Sequence, residues 1–243
     1  MKIVNVLLSL LLLVACAGFA AAADQPQAQS PATDTVPVEL QPAAPGAGCA
    51  VGNLAAPSYV YGNWITGNDA YATLIQPQVE GCACGTGFQL DRVYMMMQFG
   101  PEDVPSNFDV YVTLHEADWD AGAGVWRPGQ EFCRSATWSL TAANAGLYDI
   151  YVDLDGVCPC GTVGDSYFIA FHLPQGFVWW PSALEDNTPD VGVSYYDGGS
   201  GWSDLVANYG WFGNNIMHAD VTCCETPVDV DDASWGEIKS LYR

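Results

Sequence analysis

Eight cysteines, Cys49, Cys82, Cys84, Cys133, Cys158, Cys160, Cys223 and Cys224, bracket the stretch from position 49 to position 225 and constrain its fold more than any other feature. An even set of this kind suits four disulfides in an oxidising compartment, although spacing alone leaves their pairing open. The CxC spacings Cys82-Ala83-Cys84 and Cys158-Pro159-Cys160 lack the two-residue gap usual in zinc knuckles, so bridges are the reading preferred to metal. A ninth cysteine, Cys16, lies in the opening MKIVNVLLSLLLLVACAGFAAAADQ. That segment has one basic residue, an apolar run too short to span a bilayer, and then small residues suited to peptidase cleavage. It reads as an export signal over residues 1–23, cut before Asp24. The rival processing is a lipobox, Leu13-Val14-Ala15-Cys16, which would place a lipid on Cys16.

Charge narrows the partners. Lys and Arg number 6 against 28 Asp and Glu, a net charge of −22, and that field repels nucleic acid and anionic lipid. Neutral glycan, protein, cations or an envelope component remain. Half of the residues are apolar, too many for a disordered chain. Beyond the signal no segment has the roughly 18–20 uninterrupted apolar residues of a membrane-spanning helix.

Residues 24–48 are rich in Pro, Ala and Gln and read as an extended spacer. Residues 49–225 suffice for one core. Within them FDVYVTLH sets Phe108, Val110, Val112 and Leu114 against Asp109, Tyr111, Thr113 and His115, the two-residue period of a half-buried strand. LYDIYVDLDG repeats the pattern, with Asp149, Tyr151, Asp153 and Asp155 on its wet side. RVYMMMQF, SYFIAFHLP and NIMHADVTCC are further strands, and SYFIAFHLP, apolar on both sides, is expected to be central. Many short strands with Gly, Pro, Asn and Asp between them predict an all-β fold, an antiparallel two-sheet β-sandwich of jelly-roll type, with a closed barrel as the alternative. CACGT and CPCGT each precede a Tyr-containing apolar run, and the echo reads as two similar stapled turns entering strands. In residues 226–243 an acidic linker leads to SWGEIKSLYR, where Ser234 and Glu237 form a capping box for a short amphipathic helix. Ten residues hold no helix alone in water, so this one is expected to dock on its own domain or on a protein partner.

Candidate sites follow from residue type. Asp118 and Asp120 precede Gly122 and Gly124 in a strand-end loop and could offer oxygens to calcium, without the twelfth-position Glu of an EF-hand. His115, His172 and His218 all fall on strands and could bind zinc only if they converged. Trp179, Trp180, Trp202 and Trp211 lie in or beside loops, where planar rings stack on sugars or anchor interfaces. Tyr111, Tyr151, Asp149 and Asp153 on wet strand faces could hydrogen-bond sugar hydroxyls. GxSxG, HExxH, phosphate-loop and dinucleotide signatures are missing from the sequence.

The export signal, the spacer, the Trp- and Tyr-rich strand domain and the closing SWGEIKSLYR resemble secreted bacterial β-sandwich proteins of jelly-roll, carbohydrate-binding-module-like form whose ends carry a Trp-Ile-Lys helix. The resemblance implies an exported binding module for neutral glycan and transfers no ligand residue. The alternatives are an envelope assembly subunit docking through its terminal helix, and a glycan-cleaving enzyme built on paired carboxylates.

Overall fold

The alternation in FDVYVTLH becomes a strand whose Phe108, Val110, Val112 and Leu114 are all buried against the opposite sheet. The computed structural model describes residues 28–29 and 48–224, apart from Asn63, Ala83, Asp155, Val163, Gly164 and 177–180. The export signal with Cys16, most of the spacer, the C-terminal segment 226–243 and the Trp179-Trp180 pair lie outside the described residues.

The strands are β1 (Ala28–Gln29), β2 (Gly48–Gly52), β3 (Tyr59–Tyr61), β4 (Asp69–Ile75), β5 (Gly87–Phe99), β6 (Ser106–Asp120), β7 (Val125–Arg134), β8 (Trp138–Ala142), β9 (Gly146–Asp153), β10 (Gly161–Thr162), β11 (Tyr167–Leu173), β12 (Ser182–Glu185), β13 (Ser194–Asp197), β14 (Ser203–Asp204) and β15 (Met217–Cys224). They form two antiparallel sheets. The first runs β1-β3-β12-β5-β15-β2 with β9 and β10 on the other edge of β5, and the second runs β14-β13-β4-β11-β6-β7 with β8 beside β6. One short helix, α1 (Leu205–Tyr209), follows β14; Asp204 caps its start by accepting from Ala207 N at 2.8 Å, and Gly210 ends it with φ +69°. No helix among the described residues is long and apolar enough to cross a membrane.

The chain crosses repeatedly between sheets, so neighbours in space are distant in sequence. The doubly apolar strand β11 is central: β4 and β6 flank it, with Ala170 opposite both Ala72 and Thr113. Its Ile169 and Phe171 enter the inter-sheet core, while Phe168 and Ala170 pack with Ala72 and Tyr195 on the outer face of the same sheet.

All eight cysteines of the domain are bridged: Cys49–Cys82, Cys84–Cys223, Cys133–Cys158 and Cys160–Cys224. In each CxC the first cysteine reaches an upstream partner and the second reaches the adjacent pair Cys223-Cys224. The echo has a spatial meaning. The CACGT and CPCGT turns open β5 and β10, which pair at Gly161↔Phe88, while Cys224 ends β15 opposite Gly87. Three strand ends of one sheet are thereby fastened together.

Candidate functional site

Pleating of β9 sends Ile150 and Val152 inward and turns Asp149, Tyr151 and Asp153 outward. Register with β5 and β15 then lays the rows Tyr151, Tyr94, His218 and Asp153, Arg92, Asp220 across the outer face of the first sheet. Tyr94 stacks flat on His218 at 4.4 Å and meets Tyr151 tilted at 5.7 Å. Its hydroxyl donates to Asp220 at 2.6 Å. Arg92 Nε donates to Asp153 at 2.6 Å, and its guanidinium lies 5.2 Å above the Tyr151 ring.

Beside this face, where β8 and β9 come together, a groove of about 250 Å³ is lined by Trp138, Leu140, Tyr148, Asp149, Tyr151 and Asp153 among others. Trp138 and Tyr151 are 40% and 48% exposed, a planar apolar surface open to solvent. Asp149 supplies the polar element. One carboxylate oxygen, Oδ1, is buried without a hydrogen-bond partner, and burial together with the charge of Asp220 raises its pKa to about 6. The other oxygen lies 3.8 Å from His218 Nε2. Burial lowers the pKa of His218 to about 4, so the imidazole is neutral at pH 7 and the contact is no ion pair. At 3.8 Å it is also too long for a hydrogen bond.

Of the residues singled out in the sequence, Asp149, Tyr151 and Asp153 therefore share one groove. Trp138 joins them, a ring that no motif in the sequence singles out. Its signal was the alternation Trp138, Leu140, Ala142 just before the LYDIYVDL strand.

Tyr111 and Trp202 belong to the other sheet. Tyr111 stacks on His172 at 4.4 Å with Arg134 at 4.8 Å above its ring, and Trp202 stands edge-on to His115 at 5.6 Å and to His172 at 6.3 Å. The histidines do not converge as a set. His218 lies on the first sheet, while His115 and His172 meet on the second through Thr113. His115 Nδ1–H donates to Gly129 O at 3.0 Å, so its Nε2 accepts from the Thr113 hydroxyl at 2.8 Å, which in turn accepts from His172 Nε2–H at 2.7 Å. Burial lowers both pKa values, that of His172 to about 4.

Trp211 corrects the expectation of a loop ring facing solvent. It is 2% exposed, stacked on Tyr61 at 4.2 Å and met edge-on by Trp64 at 5.4 Å, because the turn after α1 folds into the end of the sandwich. Asp118 and Asp120 sit at the β6–β7 hairpin. Asp120 accepts from Ala123 N and Gly122 N, which with the Arg127 ion pair at 2.8 Å lower its pKa. Asp118 packs over Gly129, where a Cβ would lie 2.5 Å from the carboxylate. Among the described residues the single group of three or more cysteine, histidine or acidic side chains close enough to share an ion is Cys49, Cys82 and Cys84, and all three are in disulfides.

No protein-family model matches the chain, and no curated protein does. A solved structure with a similar arrangement holds the cysteine protease and lectin-like domains of a surface-layer-associated protein of Clostridium difficile, at 13% identity and a TM-score of 0.46 over 74% of this chain. The match spans 36% of that chain, about a third of its length.

Proposed function

We propose that the protein is an exported binding module for a neutral, hydroxyl-rich surface component, glycan above all, held in the groove between β8 and β9. The observation that carries this reading is a groove lined by two exposed rings, Trp138 and Tyr151, together with Asp149, whose Oδ1 has no hydrogen-bond partner. Rings of this kind cover the apolar face of a sugar, and a carboxylate oxygen lacking a partner accepts a hydroxyl hydrogen. The net charge of −22 favours uncharged ligands. Four disulfides support an oxidising, extracytoplasmic location.

Retention on a panel of immobilised neutral polysaccharides tests the reading. Trp138→Ala and Tyr151→Ala should each weaken retention by about 5- to 10-fold, from the roughly 1–1.4 kcal/mol that a stacked ring contributes. Trp119→Ala, an exposed ring at the far β6–β7 hairpin, should leave it unchanged. Equal retention by all three variants would remove the groove from the site. A second reading, glycan cleavage, draws on Asp149 as a carboxyl whose pKa is raised to about 6 beside Asp220, a value suited to donating a proton near neutrality. New reducing ends released by the wild type and not by Asp149→Asn would select it.

A further inference from the structure

The two CxC sequences differ in what surrounds their sulfurs. Cys82 Sγ lies 3.7 Å from Cys84 Sγ, although the two belong to different bridges, Cys49–Cys82 and Cys84–Cys223. Cys49, Cys82 and Cys84 hold their sulfurs within 4.8 Å of one another, and among the described residues Cys158 and Cys160 belong to no such group. Two disulfides are therefore in contact, carried by β2, by β15 and by the turn over residues 76–86 that joins β4 to β5.

Accessibility gives this contact a direction. Cys223 is exposed near the end of β15, whereas Cys84 is buried in the inter-sheet core. A thiolate attacking Cys223 Sγ expels Cys84 as a thiolate. Charge in such apolar surroundings is disfavoured, and the sulfur that Cys84 touches, Cys82 Sγ, is itself half of a disulfide. Attack there forms Cys82–Cys84 and expels Cys49, which is only partly buried, so the negative sulfur moves outward. The 3.7 Å contact makes this second step intramolecular, at high effective concentration. Cα atoms two residues apart are separated by at most about 7.6 Å, and a bent chain brings them into the roughly 4.4–6.8 Å that a bridge needs.

We propose that Cys223, Cys84, Cys82 and Cys49 form a thiol–disulfide exchange site, which takes a small monothiol at Cys223 and delivers a free thiol at Cys49. The Cys84–Cys223 and Cys49–Cys82 bonds break; a bond from the monothiol to Cys223 and the Cys82–Cys84 bond form. The proton lost by the monothiol passes through solvent to Cys49, and no other oxidant or reductant takes part. Exchange removes both covalent ties from the 76–86 turn to β2 and β15. Glu80, whose carboxylate accepts from Gly52 N and Gln76 N, then holds the turn to β2. The site shares no residue with the groove and does not depend on glycan binding.

The test uses the full disulfide-bonded chain and cysteamine, a small cationic thiol suited to a protein of net charge −22. After brief native exposure, acid quenching and alkylation, cleavage at Glu80 and Asp91 isolates Cys82 and Cys84 on one peptide. That peptide should be released with an internal bridge, two hydrogens lighter than its reduced form, while Cys223 carries cysteamine and Cys49 the alkyl label. A second arm needs no added thiol: Cys223→Ser should carry its unpaired thiol at Cys49, whereas the control Cys224→Ser keeps its own at Cys160. Three results would overturn the proposal: no cysteamine on Cys223 of the wild type, an adduct there with the label chiefly on Cys84, or a Cys223→Ser label chiefly on Cys84. The first two are read on the wild type and require no variant to fold.

Discussion

Replacing Asp149 by Asn removes one ionisable proton and hardly changes shape, so it isolates the electrostatic cost of a carboxylate beside the groove. Asp149 titrates near the ordinary 3.8 in the unfolded chain and at about 6 when folded, because burial and the negative charge of Asp220 disfavour its ionised form. Below pH 3.8 both states are protonated and the group has no pH-dependent effect. Between 3.8 and about 6 only the unfolded chain ionises, and stability falls as pH rises; above about 6 the full loss is in place. The shift from 3.8 to about 6, at about 1.4 kcal/mol per unit, corresponds to roughly 3 kcal/mol. The side chain is 13% exposed, so solvent screening removes little of this. Urea unfolding of both proteins at pH 4 and pH 7.5 measures the effect. The stability of Asp149→Asn relative to wild type should rise by roughly 2.5 kcal/mol between those values, because at pH 4 the unfolded carboxyl is already partly ionised. A difference constant with pH would refute the buried, charge-opposed carboxylate, and with it the groove's polar element.

Other outcomes follow from the same geometry. If the Asp149 carboxylate accepts a ligand hydroxyl, neutral-glycan retention should weaken as pH falls through about 6, and a flat profile from pH 7.5 to 4.5 would discount that contact. Thr113→Val deletes the hydroxyl that both His115 Nε2 and His172 Nε2 use, and two unsatisfied buried nitrogens should cost about 2–5 kcal/mol in chemical denaturation. A loss below about 1 kcal/mol would show that the two imidazoles have another partner. The eight bridged cysteines should resist a thiol reagent until reduced, and reduction should remove roughly 2–4 kcal/mol for an individual bridge. Immediate labelling of the native protein would contradict the pairing.

Local rules made much of the architecture readable. The pleat alternates side chains regardless of what lies across the sheet, so the inward sets of β6 and β9 and the doubly apolar β11 could be read from the chain alone. The even cysteine set announced four bridges for the same reason, that counting needs no geometry. Pairing did need it: Cys84 and Cys160 find adjacent partners only because β5, β10 and β15 end side by side. Likewise Tyr111 and Tyr151 occupy equivalent wet positions in their own strands, yet the fold places them on opposite sheets, one beneath Arg134 and one beside Trp138. Trp211 carries no local mark distinguishing it from a solvent-facing loop ring; the closeness of Tyr61 and Trp64, some 150 positions upstream, draws it inside. Strand periodicity is set by bonds within a few residues, whereas which faces meet is set by the packing of two sheets whose neighbours are far apart along the chain.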